Sequence, residues 1–165
     1  MMEITTKQLH IRPYAENDRD ALIDILTHPR VNQYFMVPDY TEREQYYTVF
    51  ENMRRYALAP EHYAGGVYYE DKLVGLVLDV EQKDGMIEMG YAMHPDYHNR
   101  GFCTEAMKGV IEYLFSKGFT RVTAGAFEGN DASMRVMEKC GMKKLPHTDL
   151  IDYRGKTHTC IYYGI

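Results

Sequence analysis

Apolar and polar residues alternate from Gln8 to Arg12, and the run stops at Pro13, the pattern of a short strand. A helix is predicted from about Asp18 to Thr27, closed by Pro29. Thr41 with Glu44 three residues on predicts a capping box, after which Tyr46, Tyr47, Val49, Phe50 and Met53 carry a second helix until Pro60. Three strand-like runs follow, Tyr63 to Tyr69, Leu73 to Val80 and Met86 to Met93, joined by the turn-forming Glu70-Asp71-Lys72 and Lys83-Asp84-Gly85. That is an antiparallel meander. From Thr104 to Lys117 the apolar residues Met107, Val110, Ile111 and Leu114 recur at helical spacing, with Gly118 placed to stop the helix. Arg121 to Phe127 reads as a strand, Asp131 to Cys140 as a helix ended by Gly141, and Lys143 to Gly164 as a hairpin turning at Arg154-Gly155.

The order strand, helix, strand between Met86 and Phe127 implies a right-handed parallel crossover inside an otherwise antiparallel sheet. Residues Asn99 to Thr104 fall at the strand-to-helix junction of that crossover. There, successive backbone N–H groups without intrahelical partners would stand at the positive end of a helix dipole, which suits a phosphate or diphosphate. The carboxyl end of a strand is also where open α/β sheets bind their ligands. Neither Gly-x-x-x-x-Gly-Lys nor Gly-x-Gly-x-x-Gly occurs, so a nucleoside triphosphate or a dinucleotide is a poor rival.

At 165 residues the chain matches a single domain, 1–165, that buries roughly 70% of its unfolded surface. A net charge of −5 argues against a general nucleic-acid binder. The opening Met1-Met2-Glu3-Ile4-Thr5-Thr6 has neither the basic segment nor the apolar core of a secretory signal, and no apolar run reaches membrane-spanning length. A soluble, cytoplasmic monomer or homodimer is expected. Cys103, Cys140 and Cys160 are odd in number and widely spaced, so they read as reduced thiols, neither a disulfide framework nor a zinc site. His94 and His98 are four apart, but Pro95 between them excludes the helix that would make them paired metal ligands.

His98-Asn99-Arg100-Gly101-Phe102-Cys103, led by His94-Pro95-Asp96-Tyr97, resembles the acyl-CoA pyrophosphate loop of the GNAT family of N-acetyltransferases, Gln/Arg-x-x-Gly-x-Gly/Ala. Downstream, Asn130-Asp131-Ala132-Ser133 and then Glu138-Lys139-Cys140-Gly141-Met142 resemble the family's second signature, Asn-x-x-Ser followed by Glu-Lys-x-Gly-Phe. Leu9-His10-Ile11-Arg12-Pro13 and Tyr162 are similar to the branch that acetylates the N-termini of ribosomal proteins. The departures are His98 in place of Gln or Arg, and Cys103 in place of Gly or Ala. The resemblance implies an α/β (α+β) fold with a mixed, mostly antiparallel sheet of about six to seven strands and helices on both faces. It also implies acetyl-CoA as cosubstrate, no metal, and a primary amine as acceptor, either a protein N-terminus or a small molecule such as a polyamine, an amino acid or an aminoglycoside. A non-catalytic acyl-CoA sensor is the alternative from another class.

Residue by residue, the resemblance assigns the diphosphate to His98, Asn99, Arg100, Gly101, Phe102, Cys103 and Thr104, with Arg100 as a fixed cation and His98 as one only when protonated. The alternative for His98 is an exposed loop residue. Cys103 reads as a small packing residue, since a bound diphosphate opposes the thiol activation that a helix N-terminus would give. Glu88 matches a family glutamate that takes the proton of the amine, and its alternative is a solvated or ion-paired carboxylate. Ser133 matches a serine that reaches the cofactor sulfur and Asn130 a residue that holds the pantetheine arm, and Asn130 is equally a good N-cap. The amides of Ala92 and Met93 would polarise the thioester carbonyl. Tyrosines, among them Tyr34, Tyr46, Tyr47, Tyr68 and Tyr91, are candidates for an acceptor pocket, with none singled out.

Overall fold

The computed structural model describes residues 1–165. Eight strands form one sheet: β1 (Ile4–Thr5), β2 (Leu9–Arg12), β3 (Gly65–Tyr69), β4 (Lys72–Lys83), β5 (Met86–Met93), β6 (Arg121–Phe127), β7 (Lys143–Tyr153) and β8 (Lys156–Gly164). Their order across the sheet is β1-β2-β3-β4-β5-β6-β8-β7, and only β5 and β6 run parallel. The count exceeds the expected six to seven because β1 has two residues, too few to display any alternation.

Five helices cover the sheet: α1 (Arg19–Thr27), α2 (Pro29–Asn32), α3 (Gln45–Leu58), α4 (Phe102–Ser116) and α5 (Asp131–Lys139). The larger core joins α4 and α5 to one face through Met107, Val110, Leu114 and Met137 packed on Ile87, Met89, Val122 and Ala124. The smaller joins α1 and α3 to the other face through Leu22, Leu26, Phe50 and Ala57 with Leu76 and Ala92. Alternation along β5 therefore puts Ile87, Met89 and Tyr91 toward α4 and α5, and Glu88, Gly90 and Ala92 toward α1 and α3.

Two local expectations are corrected. Pro29 does not only close α1; it opens α2 at the first helical position, where its missing N–H is no loss, and His28 Nδ1 accepts from the Arg30 amide at 3.2 Å. The Thr41 and Glu44 capping box does not form, because the chain enters α3 through tight turn bonds such as Gln45 N–H to Glu42 O, 3.1 Å. The backward contact is one residue later, with the Glu42 amide donating to Gln45 Oε1 at 3.0 Å.

The parallel pair is short. Its register runs only Met86 with Arg121, Ile87 with Val122 and Glu88 with Thr123, although β5 continues to Met93 and β6 to Phe127. Beyond Glu88 the two strands part, and β4 breaks register between Asp79 and Glu81 beside the same point. The gap this leaves lies beside the end of β5 and the start of α4.

Candidate active site

Where β5 and β6 separate, a cavity of about 350 Å³ opens between β5, β6, α4 and α5. Its lining includes Arg30, Arg135 and Lys139 and no carboxylate, in a chain whose net charge is −5. That contrast marks it as an anion site.

The lip of the cavity is the junction into α4. Asn99 (φ 59°) and Gly101 (φ 77°) both take left-handed conformations, which turn the chain sharply from the Pro95–Tyr97 turn into the helix. The first helical hydrogen bond is Glu105 N–H to Gly101 O at 2.9 Å, and no amide from Asn99 through Thr104 donates to another group of the chain. A Cβ built on Gly101 would meet nothing within 4 Å, so open space lies above these six N–H groups. A diphosphate fits that cradle.

Residues around the lip are placed less uniformly than the sequence suggests. Asn99, Gly101, Phe102, Cys103 and Thr104 line the cavity, but Arg100 does not. Its guanidinium lies over the rings of Phe102 at 4.7 Å and Tyr69 at 5.0 Å, a cation–π arrangement. His98 lines the cavity with its donors already engaged: its amide donates to Pro95 O at 3.1 Å and its Nε2 is 2.7 Å from Met93 O. The imidazole thus caps a carbonyl on the open edge of β5 through Nε2. Burial, with Cys140 adding to it, pushes the Cys103 thiol up to about 12, in keeping with a packing role.

Ala92 and Met93 differ for a reason of strand geometry. His94 N–H donates to Val74 O at 2.8 Å, so alternation aims the Ala92 amide at β4 and those of Tyr91 and Met93 at the open edge. Ala92 thus lines the cavity by its side chain while its N–H belongs to the ladder. Of the two expected donors, only Met93 directs its N–H to the open edge, where the Tyr91 N–H also points.

Asn130 caps α5, its Oδ1 accepting from the Ser133 amide at 3.3 Å, and both residues line the cavity. Ser133 Oγ is 2.7 Å from the hydroxyl of Tyr91, whose pKa is raised by burial first and then by Cys103. Tyr91 was indistinguishable among 15 tyrosines in the sequence. Its one legible signal was its place on the α4 side of β5, two residues before the open-edge Met93. Lys139 lies in the second signature and shares α5 with Arg135, but neither could be read as facing a cavity, because Arg30 of α2 joins them only when the fold assembles.

Glu88 lies outside the cavity wall, half-buried on the opposite sheet face at the last paired position of β5. Burial raises its pKa, Glu81 and Asp149 raise it further, and His147 opposes them. Glu81 is its direct cross-strand partner. Tyr162, which donates to Asp149 Oδ2 at 2.9 Å and stacks on His147, completes this surround. His94 and His98, argued above not to be paired ligands, point apart: His94 Nδ1 accepts from the Asp96 amide at 3.1 Å while His98 turns to Met93.

An opened parallel strand pair with an unbonded amide loop at its mouth defines an acyl-CoA-dependent acyltransferase architecture. The sequence of residues 8–143 matches the family model described as an acetyltransferase (GNAT) domain. The uncharacterized N-acetyltransferase YnaD of Bacillus subtilis is 30% identical over 145 residues, 87% of this chain and 84% of that protein. Among solved structures, a GNAT-family acetyltransferase from Bacillus anthracis superposes with a TM-score of 0.85 at 25% identity, covering 99% of this chain and 98% of that one. RimL, an alpha-N-protein acetyltransferase of a ribosomal protein solved in complex with coenzyme A, gives a TM-score of 0.84 at 14% identity over 99% of this chain and 97% of that one, a likeness of fold. The chain belongs to the GNAT family and is an acetyl-CoA-dependent N-acetyltransferase, which sets aside the sensor alternative. No helix is long and apolar enough to cross a membrane.

Proposed function

We infer that this protein moves the acetyl group of acetyl-CoA directly to a primary amine, with a protein N-terminal α-amine as the favoured acceptor. The observation that carries the cofactor half of this reading is the run of six amides, Asn99 to Thr104, that donate to nothing in the chain at the rim of a cation-lined cavity. They would hold the diphosphate of coenzyme A, and Asn130 the pantetheine arm along α5. The thioester would then reach the gap between β5 and β6, with its carbonyl oxygen toward the Tyr91 and Met93 amides. Each such donor typically contributes about 3 kcal/mol to stabilising a tetrahedral oxyanion.

The amine would enter from the face carrying Glu88. Its nitrogen attacks the carbonyl carbon, the C–S bond breaks, and the products are the amide and coenzyme A. Glu88, ionised, takes the proton that the nitrogen loses, directly or through water, and Ser133 donates a hydrogen bond to the departing thiolate. Only a neutral amine attacks. An α-amine with a pKa near 8 is partly neutral at neutral pH, whereas a lysine amine near 10.4 must pay about 3 kcal/mol more to shed its proton. An acceptor of the first kind asks less of one glutamate. The RimL likeness points the same way, since that protein acts on an α-amine of a ribosomal protein.

A second reading, a small polycationic amine, is favoured by the three carboxylates Glu81, Glu88 and Asp149 gathered on the acceptor side. Incubating the protein with acetyl-CoA and either a peptide bearing a free N-terminal serine or spermidine, with release of free thiol as the readout, separates the two. Thiol release with the peptide alone is the expected result; release only with spermidine overturns the preferred acceptor.

A further inference from the structure

Tyr34 and Phe35 belong to the cavity wall although they lie in the irregular segment between α2 and α3. Phe35 also approaches Gly90, its Cε2 3.8 Å from the position a Cβ would occupy there, on the sheet face that carries Glu88. A segment without ladder bonds needs other partners for its backbone groups. The Tyr34 and Phe35 amides donate back to Val31 O at 3.1 and 2.9 Å, and one hydroxyl serves three further groups. Tyr153 Oη, at the tip of β7, lies 2.6 Å from Asn32 O, 3.2 Å from Phe35 O and 3.3 Å from Val37 N. Its single hydrogen is donated chiefly to Asn32 and shared with Phe35, and its oxygen accepts from Val37. Beside it Arg154 pairs with Asp39 at 3.7 Å, and Tyr34 donates to Gly129 O at 3.2 Å across the cavity.

We propose that Tyr153 is a positioning residue for the acceptor: it fixes the Asn32 to Val37 segment against the β7–β8 hairpin, so that Tyr34 and Phe35 shape the amine's approach. The proposal rests on the amine-acceptor reading above. Tyr46 provides an internal contrast, because its hydroxyl does the same job for the far end of the segment, donating to Pro38 O at 2.8 Å and accepting from Tyr40 N at 3.2 Å, away from the cavity wall.

The test compares Tyr153→Phe with Tyr46→Phe, using the N-terminal-serine peptide and spermidine as probe acceptors, calorimetry with coenzyme A, and amide hydrogen exchange over residues 32–40. For whichever probe the wild-type protein uses, Tyr153→Phe is expected to raise acceptor KM about fivefold, the order of one lost shared hydrogen bond, and to speed exchange at residues 33–37. Coenzyme A affinity stays within about twofold, because the diphosphate loop is untouched. Tyr46→Phe speeds exchange at residues 38–40 and leaves acceptor KM in place. An unchanged KM in Tyr153→Phe, an equal rise in Tyr46→Phe, or a matching loss of coenzyme A affinity overturns the proposal. If the wild-type protein acetylates neither probe, the acceptor reading falls by itself, and unchanged exchange at residues 33–37 in Tyr153→Phe still overturns the clamp.

Discussion

Glu88 is placed under opposing demands. Half-burial and the facing charges of Glu81 and Asp149 hold its pKa above the ordinary glutamate range, while the proposed base must be ionised. The folded protein therefore binds more protons than the unfolded chain between the ordinary value and the raised one, so stability falls as pH climbs through that window. Glu88→Gln should accordingly unfold at a higher temperature than wild type at neutral pH while losing at least about tenfold in turnover, with coenzyme A affinity held. Calorimetry and steady-state rates on the same sample check both halves; a variant that keeps full turnover removes Glu88 from the mechanism. Glu81→Gln lifts one repulsive charge, and the acid limb of the kcat/KM profile should move to lower pH. Gly101→Ala has room for its Cβ, yet the left-handed backbone makes it less stable by about 1 kcal/mol. Because that methyl projects from the turn where the diphosphate is proposed to lie, affinity for coenzyme A should fall by more than the stability change accounts for.

At the scale of elements, the β4 irregularity that lies beside the site has Asp79 at its start. This buried carboxylate accepts from the Tyr63 amide at 2.8 Å and Gln82 Nε2 at 2.7 Å, with Tyr56 Oη at 3.2 Å and His62 Nδ1 at 3.1 Å alongside. Burial alone would raise its pKa, but the bonds from Gln82, Tyr63 and His62 outweigh that and bring it below the usual range. Its stabilisation is thus complete above the ordinary carboxylate range and is lost as pH falls through the lowered value. Asp79→Ala should cost about 2–4 kcal/mol in urea unfolding and flatten the acid-denaturation curve. Elements of this kind were only partly legible in the sequence. The long strands and α4 declare themselves by period, and the Asn99 to Thr104 junction by its motif. Asp79 does not, because its partners come from α3, the α3–β3 connection and β4, which are brought together only when the sheet forms. The turn of Arg100 away from the cavity was hidden for a related reason: Tyr69 and Phe102, the rings it covers, lie far apart in sequence.

Across the whole molecule the two substrates would meet opposite electrostatic surroundings in the proposed arrangement. Arg30, Arg135 and Lys139 line the cavity proposed for the anionic cofactor, while Glu81, Glu88 and Asp149 stand on the side proposed for a cationic amine. The net charge of −5 masks the first of these, and that is why composition alone spoke only against a polyanionic partner such as nucleic acid. Ligand binding to the folded state alone makes this separation measurable. At about one hundred times Kd, coenzyme A should stabilise the protein by about 2.7 kcal/mol, which for a domain of this size raises Tm by about 5–10 °C. Arg135→Glu combined with Lys139→Glu should weaken coenzyme A binding by about tenfold or more at low salt and shrink that Tm rise at fixed ligand concentration. The deficit should narrow as the Debye length falls from about 10 Å at 0.1 M salt toward about 3 Å at 1 M. A loss of affinity that ignores salt would mean the two cations shape the cavity wall without attracting the cofactor, and the positive field would then have to come from Arg30 and the α4 amides.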